Sequence, residues 1–159
     1  MKKNSFCYIR RIAILIIYLA ILSYGLFFSE YMGRTGGREF SYNLIPFKEI
    51  LRYIIRAGQI GSFSVLMNLF GNIIAFIPLG MIVSSLIPDC HKKSAWVVGG
   101  LCAAFSVAVE LLQFFSKTGC CDIDDVILNS TGGLLGFVIF CAIHHHLDQQ
   151  KENMKGECL

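Results

Sequence analysis

Four long apolar segments dominate the chain, at residues 12–28, 65–87, 94–115 and 126–143. Each is long enough to cross about 30 Å of hydrocarbon as a helix that rises about 1.5 Å per residue. Within these segments the only formal charge is that of Glu110. The pattern therefore predicts an all-α fold, an integral membrane four-helix bundle that forms a single domain over residues 1–159.

A fifth and shorter helix is predicted at residues 46–57, in the loop between the first two spans. Apolar residues recur there at helical spacing, from Phe47 to Ile55, and charged residues occupy the opposite face. Pro46 suits the first turn, where its missing N–H group costs nothing. Such a helix can lie in the membrane interface with its basic face toward headgroup phosphates, or it can cap the bundle. The periodicity fits both equally.

The composition supports a membrane protein and adds an orientation. Of the 159 residues 55% are hydrophobic and 16% charged, and the mean hydropathy is +0.60, which excludes an ordinary soluble domain. We expect a lipid bilayer as the surroundings and no nucleic-acid partner. Basic residues cluster before the first span and again at Lys92 and Lys93, so the positive-inside rule places both termini in the cytoplasm. The first segment also resembles a signal peptide, but its length and the lack of a clear cleavage site favour a retained helix of the cell membrane.

The predicted spans contain polar side chains that are costly to bury in hydrocarbon, and these side chains lie at similar depths in the membrane. A charge at the bilayer centre costs at least about 2.5–3.5 kcal/mol, so Glu110 is a candidate functional residue. Asn68 and Asn72 lie early in the second span, Gln113 lies late in the third, and Asn129 lies early in the fourth. In an antiparallel bundle all five side chains fall in one leaflet, where we expect the amides and the carboxylate to meet. The alternative is that the amides only join helices, at about 0.6 kcal/mol for each hydrogen bond.

Three aspartates precede and open the fourth span: Asp122, Asp124 and Asp125. We expect Asp124 or Asp125 to cap this helix, because acids near an N-terminus complement its dipole. Three carboxylates exceed what capping needs, and they are candidate ligands of Mg²⁺ or Ca²⁺. Gly132 and Gly136 form a small-xxx-small pair that lets the fourth helix approach a neighbour closely. No known enzyme motif is present in the sequence, and the cofactor is unknown.

Three blocks of the chain, in order, resemble the VanZ family of small bacterial membrane proteins. They are NLIPF at residues 43–47, NLFGNIIAFIPLG at residues 68–80, and the stretch from 110 to 136 that contains ELLQ, DIDDVILN and GGLLG. Many members of that family carry a basic or hydroxyl residue where this chain has Cys121, so the resemblance assigns no role to this position. It implies a cell-membrane protein and resistance to teicoplanin-type glycopeptide antibiotics, but no established reaction.

The leading hypothesis is an outer-leaflet polar site that engages a lipophilic ligand, either a lipoglycopeptide or a lipid-linked cell-wall precursor. The alternative is a membrane-embedded enzyme that modifies a lipid-linked or undecaprenyl-linked substrate, with Glu110, Asp122 or Asp124 as catalytic residues. A third class is a purely structural or assembly subunit. In the leading hypothesis Arg52 and Arg56 help to hold headgroup phosphate. The candidate ligand-binding residues are Asn43, Pro46, Asn68, Asn72, Glu110, Gln113, Asp122, Asp124, Asp125 and Asn129, and the candidate metal ligands are Asp122, Asp124 and Asp125.

Overall fold

The computed structural model describes residues 2–33, 42–56, 62–87, 92–116 and 120–156. This part of the chain is almost entirely helical, with two short strands that pair with each other. The elements in chain order are α1 (Lys2–Gly33), β1 (Tyr42–Asn43), α2 (Lys48–Ile55), α3 (Ser62–Leu86), α4 (Lys92–Ser116), β2 (Cys121–Asp122) and α5 (Ile123–Gly156).

The four long helices agree with the predicted all-α membrane bundle. Each of α1, α3, α4 and α5 contains a stretch long and apolar enough to cross a membrane. Large apolar side chains such as Ile16, Trp96 and Val138 are exposed on their outer surfaces, whereas Ser106 and Gln113 are buried. This distribution is the reverse of that in a water-soluble protein, and it is stable where lipid surrounds the helices.

Glycines set the closest helix contact of the bundle, between α3 and α5. A Cβ atom built on Gly132 would overlap the carbonyl oxygen of Ile73, and one on Gly136 would overlap that of Ile77. The two backbones therefore touch at positions four residues apart, as the small-xxx-small pair predicted. This contact fixes α5, and with it the acidic turn, against α3.

The first helix packs on α3 and α4 through side-chain to backbone hydrogen bonds. The Tyr18 hydroxyl donates to the carbonyl oxygen of Ala75 at 2.7 Å. The Gln113 side chain, on α4, donates to the carbonyl oxygen of Leu26 at 3.3 Å. These bonds lie in a region where water is excluded, so each satisfies a donor that would otherwise be costly. They tie α1 to the rest of the bundle.

The short amphipathic helix begins later than the sequence predicted. Pro46 lies in a turn before α2, and Phe47 adopts a left-handed conformation with φ of 65° at the N-cap position. None of the residues of α2 is buried. Its apolar side chains, among them Leu51 and Ile54, are exposed, so they are available to lipid, while the opposite face turns toward the bundle.

Candidate functional site

A parallel strand pair joins the first loop to the turn before α5. Tyr42 pairs with Cys121, and Asn43 pairs with Asp122. The side-chain amide of Asn43 also donates to Oδ1 of Asp122 at 3.0 Å, and its own oxygen accepts the N–H of Ile45 at 3.4 Å. Asn43 is buried. The two sequence blocks that contain NLIPF and DIDD are therefore held together by main-chain and side-chain bonds, a pairing that the helical patterns did not predict.

Asp124 caps a helix to which it does not belong. Its Oδ1 accepts the N–H of Phe47 at 2.5 Å, and its Oδ2 accepts those of Glu49 at 2.8 Å and Ile50 at 3.2 Å. These donors are the free N–H groups at the start of α2, where the helix dipole also favours a negative charge. Asp124 is only 1% exposed. One buried carboxylate thus docks α2 onto the N-terminal turn of α5.

The cap of α5 itself is Asp122, so the prediction that Asp124 or Asp125 would cap this helix was wrong. Oδ1 of Asp122 accepts the N–H of Asp124 at 2.9 Å, two residues further on, as an N-cap residue does. The backbone N–H of Asp122 donates in turn to Oε2 of Glu110 at 2.9 Å. Glu110, which belongs to α4, is 5% exposed, and this hydrogen bond attaches the turn to α4. The sequence could not separate these roles because three carboxylates lie within four residues.

The amide side chains make three different contacts. Asn72 donates to Oδ1 of Asp125 at 2.7 Å, and Gln113 reaches α1 as described above. Asn129 donates to the hydroxyl of Ser106 at 2.8 Å, and its own buried oxygen has no hydrogen-bond partner among the described residues. The predicted Asn68 lies on α3, but outside the part of the chain whose side chains are described. Ser106, which is 1% exposed, was not predicted as a site residue, because a single serine within a span has no distinguishing pattern.

A cavity of about 320 Å³ lies above these contacts, between α2 and the acidic turn. Four of the predicted ligand-binding residues line it: Asn43, Asp122, Asp124 and Asp125. The other predicted residues with described side chains do not line it: Pro46, Asn72, Glu110, Gln113 and Asn129. The polar face of α2 forms the opposite wall, with Lys48, Glu49, Ile50, Arg52 and Tyr53.

Negative charge dominates the cavity, although α2 contributes cations. Arg52 forms an ion pair with Glu49, and its guanidinium lies 5.2 Å from the ring centroid of Tyr53. Burial raises the pKa of Asp122, and hydrogen bonds from the Asp124 backbone and the Asn43 amide oppose that rise. Lys48, Glu49 and Tyr53 were missed as site residues. The amphipathic pattern did contain them, but it did not reveal that the polar face of α2 turns inward.

The three aspartates do not form a ready metal site. Among the described residues no group of three His, Cys, Asp or Glu side chains converges in a geometry that could hold a metal ion. Both oxygens of Asp124 accept backbone N–H groups, and one oxygen of Asp122 accepts two hydrogen bonds. These oxygens are therefore used in contacts with backbone N–H groups and with the Asn43 amide.

Comparison with known proteins places this architecture in a family. A family model described as VanZ/LLP1 matches residues 12–144, which include all of the contacts above. The chain is similar to Protein VanZ of Enterococcus faecium, with 29% identity over 115 residues. That match covers 69% of this chain and 66% of the relative, just under two thirds of its length. No solved structure matches significantly. With the four candidate membrane spans, these findings show that the chain is a multi-pass membrane protein that belongs to the VanZ/LLP1 family.

Proposed function

We propose that this protein contributes to resistance against teicoplanin-type glycopeptide antibiotics by engaging a lipophilic ligand in its polar cavity. The ligand is the antibiotic itself or the lipid-linked cell-wall precursor. The observation that carries the proposal is the cavity: a space lined by four carboxylates at one end of a bundle of candidate membrane spans. A site of this kind can hold the polar part of a molecule whose apolar part stays in the bilayer.

Side-chain hydrogen bonds also hold the acidic turn in place beneath the cavity. Asn43, Glu110 and Asp124 are buried, and their hydrogen bonds tie three distant parts of the chain to one turn. Buried polar groups in a membrane protein are costly, so a network that positions them around a cavity supports a binding role. We place this end of the bundle outside the cell, on the basis of the basic residues near the N-terminus and at the start of α4.

Susceptibility of an expressing strain tests the proposal. A susceptible host carrying the chain is expected to lose susceptibility to teicoplanin more than to vancomycin. Asp122→Asn and Glu110→Gln are expected to weaken this effect at matched membrane abundance. Asp148→Asn is the control, because this exposed carboxylate near the end of α5 pairs with Lys151 and lies away from the cavity. Absence of any teicoplanin-selective change would remove the proposal.

A second candidate is an enzyme that modifies a lipid-linked or undecaprenyl-linked substrate, and one observation favours it. Burial raises the pKa of Asp122, which lines the cavity, and a carboxyl perturbed in this way suits a general base. In that case expressing cells would show an altered mass of a lipid or wall precursor. If the masses of lipids and wall precursors were unchanged while resistance persisted, ligand binding would be the explanation. Resistance that survives both Asp122→Asn and Glu110→Gln would instead indicate an assembly subunit.

A further inference from the structure

A second cavity, of about 340 Å³, lies in the apolar part of the bundle between α1 and α3. Leu22, Gly25 and Leu26 line it from α1, and Gly71 and Ala75 line it from α3. It is a groove whose walls belong to candidate membrane spans, so it is open to hydrocarbon and not to water. We refer to it as the α1–α3 groove.

Two glycines create the space in this groove. A Cβ atom added at Gly25 or at Gly71 would meet no atom within 4 Å. They differ in this from Gly132 and Gly136, whose missing side chains are required by the contact between α3 and α5. Close packing therefore does not explain Gly25 and Gly71. Their effect is to leave room beside the helices.

The groove and the polar cavity share a wall. Asn72 lines the groove, and its amide donates at 2.7 Å to Asp125, which lines the polar cavity. Leu69, one turn before Asn72 on α3, also lines the polar cavity. At the other end of the groove Tyr18 bonds to Ala75. Tyr18 and Leu26 are about 12 Å apart along α1, which is the length available to an extended chain.

The charges of the polar cavity indicate what a head group must carry. The lining carries four carboxylates, on Glu49, Asp122, Asp124 and Asp125, against two cations, Lys48 and Arg52. Arg52 is paired with Glu49, so the balance of charge is negative. A cationic amine would complement such a lining, whereas a phosphate would meet carboxylates.

We propose that the two spaces bind one amphiphile, with an amine-bearing head in the polar cavity and a single hydrocarbon chain in the α1–α3 groove. This inference rests on the proposed function, because it names the chemical class of the lipophilic ligand. The contact between Asn72 and Asp125 lies where head and chain join. A chain held in the groove is shielded from competing lipid on two sides, and this adds apolar contact to the electrostatic attraction of the head.

Photolabelling of the purified full-length protein in phosphatidylcholine nanodiscs tests the inference. The probe is a long-chain primary alkylamine with a diazirine on its chain, and the matched probe is the alcohol with the same chain. We expect the amine to label peptides of α1 and α3 around Gly25 and Gly71, and the alcohol to label them weakly. Gly71→Leu should abolish this labelling by filling the groove. Gly100→Leu is the control, because a Cβ atom at Gly100 on α4 also meets nothing within 4 Å.

Asp122→Asn tests the link between head and chain. It removes a charge from the cavity but keeps an oxygen for both hydrogen bonds of Oδ1. We expect it to weaken groove labelling by the amine about tenfold, as for a lost charge-assisted bond of about 1.4 kcal/mol, and to leave the alcohol unaffected. Equal labelling by both probes, insensitive to Asp122→Asn, would mean that the groove holds bulk lipid only and would overturn the inference. Amine labelling that survives Gly71→Leu would also overturn it.

These results are independent of any resistance phenotype. Amine binding that depends on Asp122 and Gly71, in a protein that confers no teicoplanin-selective change, would refute the proposed function and support the amphiphile site. Teicoplanin-selective resistance without such amine binding would support the proposed function and refute the amphiphile site.

Discussion

Replacing Asp124 by Asn should release α2 from the bundle, whereas the same replacement at Asp122 should not. The two side chains use their oxygens differently. In Asp124 both oxygens accept backbone N–H groups of the first loop and α2. In Asp122 a single oxygen, Oδ1, accepts both the Asn43 amide and the Asp124 N–H. An asparagine retains one acceptor oxygen and turns the other position into a donor.

The size of the effect follows from these contacts. At position 124 the new NH₂ group would face an N–H donor in either orientation, so Phe47 alone or Glu49 and Ile50 together lose their acceptor. Bonds to a charged acceptor are worth about 1.5–3 kcal/mol, and those to a neutral one about 0.5–1.5 kcal/mol. Three charged bonds are worth about 4.5–9 kcal/mol and two neutral ones about 1–3 kcal/mol, so the exchange costs about 3.5–6 kcal/mol of docking free energy, or about 300-fold or more in the docked population. Because α2 has no buried residue, little else holds it.

Hydrogen exchange followed by mass spectrometry measures this directly. Peptides that cover α2 should lose protection in Asp124→Asn by about 300-fold or more, while peptides within α3 and α5 keep theirs. Asp122→Asn is the matched control and should leave α2 protected. The reasoning would be refuted if both variants deprotected α2 equally, or if Asp124→Asn left its exchange unchanged.

Three further predictions concern the packing, the pH dependence and the strand pair. Gly136→Ala places a methyl group against the Ile77 carbonyl and should lower the thermal unfolding midpoint in detergent by several degrees, whereas Gly100→Ala, which meets nothing, should not. Burial raises the pKa of Asp122, so the folded state binds this proton more tightly than the unfolded state. Stability should therefore fall as pH rises from the ordinary carboxyl range through the raised pKa, and Asp122→Asn should flatten that part of the profile. Asn43→Ala should cost about 1–3 kcal/mol, read as faster exchange in peptides covering β1 and β2, because it leaves the Ile45 N–H without its acceptor and removes one of the two donors to Oδ1 of Asp122.

The sequence predicted the helices well because their signals are local. A span is a continuous apolar run, and Gly132 and Gly136 lie on one face by helical spacing alone. The start of α2 was less accurate, since the left-handed Phe47 depends on its contact with Asp124, 77 residues away. The strand pair was not predicted at all. A two-residue bridge leaves no periodic pattern in the sequence.

For the acidic turn, the sequence predicted which side chains would lie close together better than it predicted the contacts of each. It placed Asp122, Asp124 and Glu110 together, because antiparallel helices bring similar depths to one level. It assigned capping to the wrong aspartate, because the oxygens of Asp124 accept backbone N–H groups that lie 74 to 77 residues away in sequence. Ser106 had no distinguishing pattern, and its role depends on which residue of α5 lies opposite it.

The difference between the two aspartates also determines how loss of function should be interpreted. The polar cavity exists only while α2 is docked, because α2 supplies one of its walls. A variant at Asp124 would therefore lose any ligand by opening the cavity, and its loss of activity would not reveal whether charge takes part in binding. Asn at position 122 keeps the cap of α5 and the contact with Asn43, so a loss of binding there reports the charge itself. Of the three aspartates, Asp122 is thus the position at which structure and chemistry can be separated by one conservative substitution.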